Sequence, residues 1–316
     1  MTNTRIQQYA QNLGWTKLPN GPSIFQFTAA QFPGNNAFSA VDIKADATSL
    51  YVGIGNNSTV PMTSQILRMD PNTFAVQAVI SLPPGAWINH MCLSPGKLWA
   101  GDLNLNNIYR IDLATNAVDL TIAAGNPIRG IVYGLGKIMA ANQTAGTVQF
   151  YDAGTGAPVG APVVVGSFPL YSDFDGVDFW QSVQNSGTVV RIDGTTLLPI
   201  STLATSAQQF GVFCDGSLVY ALGTNICVID IMSGTIVATW ALAAGRGGHF
   251  MTKVRNELWY AQHVSGSIGV YDETGTIIRT IPCGSDTCAL AFNGYDVFSI
   301  DYLAWTLRRH NVEHGM

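Results

Sequence analysis

Charge is what this chain has least of. Only 11% of its 316 residues are Asp, Glu, Lys or Arg, less than half the usual share of about 25%. Glutamate is the scarcest, present only as Glu257, Glu273 and Glu313. Lys and Arg number 15 against 20 acidic residues, a net charge of −5, and only Arg308 and Arg309 form a basic pair. A duplex-binding protein needs a Lys/Arg footprint to displace counterions, so nucleic acid is excluded as a partner. Long apolar runs are missing too. None approaches the roughly 20 residues of a membrane helix, which argues against membrane insertion. The first 20 residues lack the apolar stretch of a secretion signal, so synthesis and residence are expected in the cytoplasm, with possible uptake into a virion.

Cysteine is sparse and odd in number. Cys92, Cys214, Cys227, Cys283 and Cys288 have no framework spacing and read as small buried hydrophobes. The stretch CGSDTC, Cys283 to Cys288, is the one place where a local bridge or shared metal would fit, although it lacks the tight CxxC spacing. No GxSxG elbow is present, and no His/Glu motif at ligand spacing.

What the chain does have is repetition. Apolar residues make up 47% and glycines number 33, and both recur with a fixed period, the mark of a repeat architecture. The segments ILRMDPNTFAV, IYRIDLATNAV, VQFYDAGTGAP, VVRIDGTTLLP, ICVIDIMSGTI and IGVYDETGTII place Asp70, Asp112, Asp152, Asp193, Asp230 and Asp272 at intervals of 37 to 42 residues. Asn311 in WTLRRHNVEHG takes the seventh place. An Asp opening a tight turn accepts backbone N–H bonds two residues on, so these carboxylates are turn formers between a third and a fourth strand. A second ladder, LSPGKLW, YGLGKIM, FDGVDFW, CDGSLVY, VRNELWY and FNGYDVF, reads as the hairpin between first and second strands. Trp99, Phe179, Trp180, Tyr220, Trp259 and Phe298 then pack between neighbouring repeats.

The period predicts an all-β chain: a seven-bladed β-propeller of four-stranded antiparallel blades, one domain over residues 20–316 behind an N-terminal arm at 1–19. Ile6, Tyr9, Ala10 and Leu13 give that arm helical spacing. The seventh blade runs out at Met316 without a fourth strand, and GPSIFQFTAAQFPG at residues 21–34 resembles the fourth strand of the first blade. The N-terminal strand is therefore expected to complete the last blade and close the ring. The first blade carries a loop about eight residues longer than its counterparts, at 55–65, and added loops often hold specificity.

The repeat LWAGDLNLNNIYRIDLATNAV resembles that of the YVTN/YncE-like and streptogramin-lyase-like seven-bladed propellers, over residues 20–316. That superfamily holds lyases, lactonases and non-catalytic binding proteins, so the resemblance implies the fold and leaves the activity open. It directs attention to the face where inter-blade loops converge on the channel. His90, His249 and His263 fall there with Asp102, a set that would hold a divalent metal in a lyase-like or lactonase-like enzyme. The streptogramin-lyase resemblance implies partner glutamates, and the three present lie elsewhere: Glu257 in a hairpin, Glu273 in an outer turn, Glu313 near the C-terminus. On the same face Trp87, Asn89, Asn104, Asn106, Asn107, Phe168, Tyr171, Gln184, Asn185, Tyr302 and Trp305 set flat rings beside amides, a pattern suited to glycans.

The reading that follows is a non-enzymatic interaction propeller without a cofactor, a tail- or capsid-associated virion component that binds other structural proteins or a surface glycan. Its ligand-binding residues would be Trp87, Asn89, His90, Asp102, Asn104, Tyr171, His249, His263, Tyr302 and Trp305, with none of them catalytic. A metal-dependent enzyme built on His90, His249, His263 and Asp102 is the alternative.

Overall fold

A computed structural model describes residues 24–27, 38–56, 64–242, 247–263, 265–284, 286–302 and 305–312. The expected arm helix and most of the long first-blade loop fall outside these. The described residues form twenty-eight strands and no helix, in seven four-stranded antiparallel sheets, the blades of a β-propeller. Each blade runs in chain order from first to fourth strand, except the last. The second strands, such as KLWAGD, FWQSV and ELWYAQ, are buried almost throughout, which is why they are apolar on both faces. The fourth strands have one neighbour only and alternate or open to solvent, as in PVGAPVV and IIRTIP.

The chain divides into two compact units, Met1–Pro84 with Met251–Met316, and Gly85–Phe250. The first contains blade one (Phe38–Ala45, Leu50–Asn56, Gln65–Met69, Val76–Ser81), blade six (Met251–Val254, Glu257–Gln262, Ser267–Asp272, Ile277–Pro282) and blade seven (Thr287–Phe292, Asp296–Asp301, Thr306–Asn311). Blade seven takes its fourth strand from the N-terminal segment, as the repeat count requires. Ile24–Gln26 pairs antiparallel with the third strand, Ile24 opposite Arg308 and Gln26 opposite Thr306. Phe27 N continues the contact to Trp305 O at 3.0 Å. Phe27 is buried, and Phe25 meets both Phe27 and Phe74 edge-on at 5.2 and 6.2 Å. Burying such a ring contributes about 2–3 kcal/mol, which holds a three-residue strand in place. The remainder of the 21–34 stretch lies outside the described residues.

The second unit contains blade two (Ile88–Ser94, Lys97–Asp102, Asn107–Asp112, Ala117–Ala123), blade three (Ile128–Gly134, Lys137–Asn142, Thr147–Asp152, Pro158–Val164), blade four (Pro169–Phe174, Phe179–Val183, Thr188–Ile192, Pro199–Ala204) and blade five (Gln209–Cys214, Leu218–Gly223, Asn225–Asp230, Thr235–Ala241). Its core lies between blades. Phe150 and Phe179 meet edge-on at 5.1 Å among valines of blades three and four, and Trp180 packs on Val212 and Val219 of blade five.

Both turn ladders have the chemistry that the residue types imply. Asp112 Oδ1 accepts from Ala114 N and Thr115 N, Asp193 Oδ1 from Thr195 N and Thr196 N, and Asp70 Oδ1 from Asn72 N and Thr73 N. In the hairpins, Asp175 Oδ1 accepts from Val177 N and Asp178 N, while its Oδ2 accepts from Trp180 Nε1 at 2.7 Å. The second-strand aromatics are thus tethered at their polar edges, Trp99 to Ser94 and Tyr51 to Asp46 in the same way. An arginine covers the ring in several blades, with Arg110 over Trp99, Arg191 over Trp180 and Arg279 over Trp259. Arg110 and Arg191 also donate to the third-to-fourth-strand turn of the following blade, at Ala153 O and Ile231 O. These arginines are therefore part of the repeat.

Candidate functional site

The first strands of the second unit are bulged. Each shifts register near its start, between Ile88 and His90, Ile128 and Gly130, Pro169 and Ser172, and Gln209 and Gly211. Such bulges re-aim side chains and release backbone groups. Two of them are glycines because another backbone comes close. A methyl group at Gly130 would stand 2.0 Å from Leu170 O, and one at Gly211 would stand 2.1 Å from His249 O. Those approaches bring neighbouring residues from three blades and the segment ending at Phe250 into one cluster.

At its centre is Tyr171. Its ring lies 4.9 Å from His90, 5.4 Å from His249 and 4.9 Å from Phe250. His90 stacks on Phe250 at 5.6 Å, and His249 packs on Phe210 at 5.3 Å. His90 is buried in the first strand of blade two, not in the loop expected for it, and its Nδ1 accepts from Ile131 N at 3.1 Å. That bond leaves the proton of a neutral His90 on Nε2. Asn89 ties three first strands together: its Nδ2 donates to Arg129 O at 3.0 Å and to the Tyr171 hydroxyl at 3.2 Å, and its Oδ1 accepts from Arg129 Nη1 at 2.7 Å.

The other expected site residues are placed differently. Asp102 is fully buried and acts as a turn former. Its Oδ1 accepts from Trp87 N, Asn104 N and Leu105 N, and its Oδ2 accepts from Tyr109 Oη at 2.9 Å. The Tyr109 hydroxyl, withdrawn from water and set against that carboxylate, is pushed up to about 12. Asn104 Nδ2 donates to Gly85 O at 2.7 Å, so Trp87, Asp102 and Asn104 belong to one hairpin. In the first unit, His263 Nδ1 lies 2.9 Å from Asp286 Oδ1. Burial pushes the Asp286 carboxyl up, His263 opposes this, and Asp301 adds to it. Tyr302 N donates to Asp286 O, and Trp305 sits at φ 54° with its carbonyl accepting from Gln26 and Phe27. Phe168, at φ 67°, is likewise a turn residue.

Asp102 is not placed as the free metal ligand read from the sequence. Among the described residues no three His, Cys, Asp or Glu side chains are grouped as metal ligands. The reason is physical: both Asp102 oxygens are occupied by donors of their own hairpin. The cysteines of CGSDTC are free thiols rather than a bridge. Cys288 Sγ donates to Ala40 O at 3.3 Å, and burial holds its thiol well above the usual range. Missing from the sequence reading were Arg129, Phe210, Phe250 and Asp286. Nothing local in the sequence distinguished Arg129 or Phe250.

The outermost strands form a second candidate surface. Val76 and Val79 of blade one, Val164 of blade three, Ile200 of blade four, Ile236 and Val237 of blade five and Ile277 and Ile278 of blade six are all exposed. Edge strands are commonly guarded by proline or charge. Blades three, four and six have such guards in Pro158, Pro162, Pro199, Pro282 and Arg279. In blade two Asp119 is held by Lys97 and Arg110. The fourth strands VQAVIS of blade one and TIVATWA of blade five have neither guard.

Comparison with known proteins identifies the architecture. No family model matches the chain, and no curated protein matches it in sequence. Among solved structures, hydrazine synthase of Kuenenia stuttgartiensis is similar over 92% of this chain and 100% of that one, at 11% identity and a TM-score of 0.77. A streptogramin B lyase is similar over 92% and 97%, at 15% identity and a TM-score of 0.73. The computationally designed Ika8 protein is similar over 88% and 98%, at 13% identity and a TM-score of 0.67. At these identities the likeness is one of fold. Two enzymes and a designed protein sharing it leave the activity to be argued from the site.

Proposed function

We propose that this chain is a non-enzymatic interaction propeller. It would take its place in a larger assembly, such as a bacteriophage tail or capsid, and meet a protein partner along its outermost strands. The observation that carries this reading is the unguarded edge of blade five, where TIVATWA exposes Ile236 and Val237, the latter at 58%, with neither charge nor proline in the strand. An edge of this kind presents unpaired backbone donors and acceptors beside apolar side chains, which suits an added strand or a packed neighbour. The low charge of the chain supports the same reading. A protein partner is favoured over a surface glycan because Trp87, Asn104, Phe168 and Trp305 of the expected glycan set are engaged in turns.

The test is co-purification with the native assembly. Val237→Lys should keep the wild-type circular dichroism and Tm, yet be recovered with the assembly at least ten-fold less well, a loss of about 1.4 kcal/mol in binding. Mass spectrometry of purified particles should find the wild-type chain in stoichiometric copies. A wild-type chain that elutes alone from native extract, or a variant that co-purifies unchanged, would overturn the reading.

A further inference from the structure

Three arginines of this protein share one arrangement, and Arg129 lacks it. Arg110, Arg191 and Arg279 each face a carboxylate, Asp119, Asp178 and Glu257 respectively, at 2.7 to 2.8 Å. Each also lies over a tryptophan ring. Arg309 covers Phe74 and donates to Asn72 O. Arg129, on the first strand of blade three, is half-buried with neither device. Its guanidinium makes one hydrogen bond among the described residues, from Nη1 to Asn89 Oδ1, and its Nε has no acceptor although it is sealed from solvent. A buried donor without an acceptor costs about 1–3 kcal/mol, and an uncompensated charge adds to that. In a chain with 11% charged residues and a net charge of −5, no ion pair of Arg129 with a carboxylate is present among the described residues.

The surroundings indicate the class of ligand. Asn89 clamps Arg129 from both its side chain and its carbonyl, and passes the contact to the Tyr171 hydroxyl. Beyond it lie the rings of Tyr171, His90, His249 and Phe250. One guanidinium matches one carboxylate in both charge and planar shape. The rings would cover an apolar or cyclic body attached to the carboxylate. We infer that Arg129, positioned by Asn89 beside the Tyr171 ring cluster, binds the carboxylate of a small ligand with an apolar or cyclic body. This site is independent of the edge-strand interface proposed above.

The experiment titrates the full chain with sodium benzoate, and separately with inorganic phosphate, at constant ionic strength, following the arginine Nε resonances by NMR. Benzoate should give a saturable shift of the Arg129 Nε signal. Arg129→Gln should weaken binding, read from backbone amides near Tyr171, at least ten-fold. Asn89→Asp, which supplies an internal carboxylate to the same guanidinium, should weaken it comparably. Arg308→Gln is the control, since Arg308 Nε also lacks an acceptor but lies on blade seven, and it should leave binding unchanged. Absence of saturation with benzoate, saturation by phosphate alone, unchanged binding in Asn89→Asp or Arg129→Gln, or equal loss in Arg308→Gln would each overturn the assignment. Circular dichroism of each variant establishes that a loss is not unfolding.

Discussion

The turns between third and fourth strands and the bulged first strands of the second unit both place polar groups in the repeat, but the turns satisfy theirs locally and the first strands do so across blades. At Asp112, Asp152, Asp193 and Asp272 a carboxylate oxygen accepts from two or more groups of its own turn. On the first strands, His90 takes a backbone N–H from another blade and Arg129 keeps an Nε without an acceptor. Where the repeat is followed, polar groups are satisfied locally and the residue is architectural. Beside the Gly130 bulge, Arg129 is left with donor capacity for a ligand. Asp102 shows that position on a face is a poor guide, since it stands among expected site residues and is satisfied like a turn aspartate.

The comparison can be broken first at Asp102. Asp102→Ala strands four donors in a buried hairpin and should cost about 3 kcal/mol or more, seen as a lower denaturation midpoint with an unchanged slope. Asp272→Ala removes the same chemistry from an exposed turn and should cost only about 1 kcal/mol. A reversed order would mean that burial does not set the difference. Gly130→Ala comes next. Its methyl meets Leu170 O, a backbone atom, at 2.0 Å, so about 1–3 kcal/mol is expected, together with a loss of near-ultraviolet dichroism from the Tyr171 cluster. Gly96→Ala, at φ 71° with nothing within 4 Å, should cost about 1 kcal/mol and leave that signal intact.

Acid should separate the regions further. Burial holds the His310 imidazole down at about 4, so the fold prefers its neutral form. That contribution to stability is complete above the ordinary His value of about 6.5 and is lost as pH falls towards about 4. Lys97 chiefly, with the turn N–H groups, holds Asp112 at about 2, and backbone or hydroxyl donors hold Asp152, Asp193, Asp230 and Asp272 below the usual carboxylate range. Their contribution is present above about 4 and is lost as pH falls below it, through about 2 in the case of Asp112. Tm measured against pH should therefore fall in two windows. His310→Gln should remove the upper one only. The smallest effect is expected from metal: Zn²⁺, Mn²⁺ or Mg²⁺ should leave Tm unchanged, and a rise abolished by His249→Ala would restore the enzyme alternative.

Much of the architecture was legible because its causes are local. An Asp followed by Thr, Ser or Gly makes its own turn, and six copies, with Asn311 in the seventh place, fix the blade register, including the strand supplied by Ile24–Gln26. The site was less legible because its causes are not local. The sequence put His90, His249 and His263 on one face, but that His90 and His249 share Tyr171 depends on glycine bulges at Gly130 and Gly211 and on which backbones approach them. His263 meets Asp286, which drew attention only as part of a cysteine pair. Arg129 is defined by the partner it lacks, which no short window of sequence can reveal.

Hydrogen–deuterium exchange of the isolated chain, compared with the chain in its native assembly, tests the interaction reading most directly. Amides of Thr235–Ala241 should gain protection in the assembly, while those of the guarded fourth strand Pro158–Val164 should change little. Equal exchange of Thr235–Ala241 in both states would contradict it.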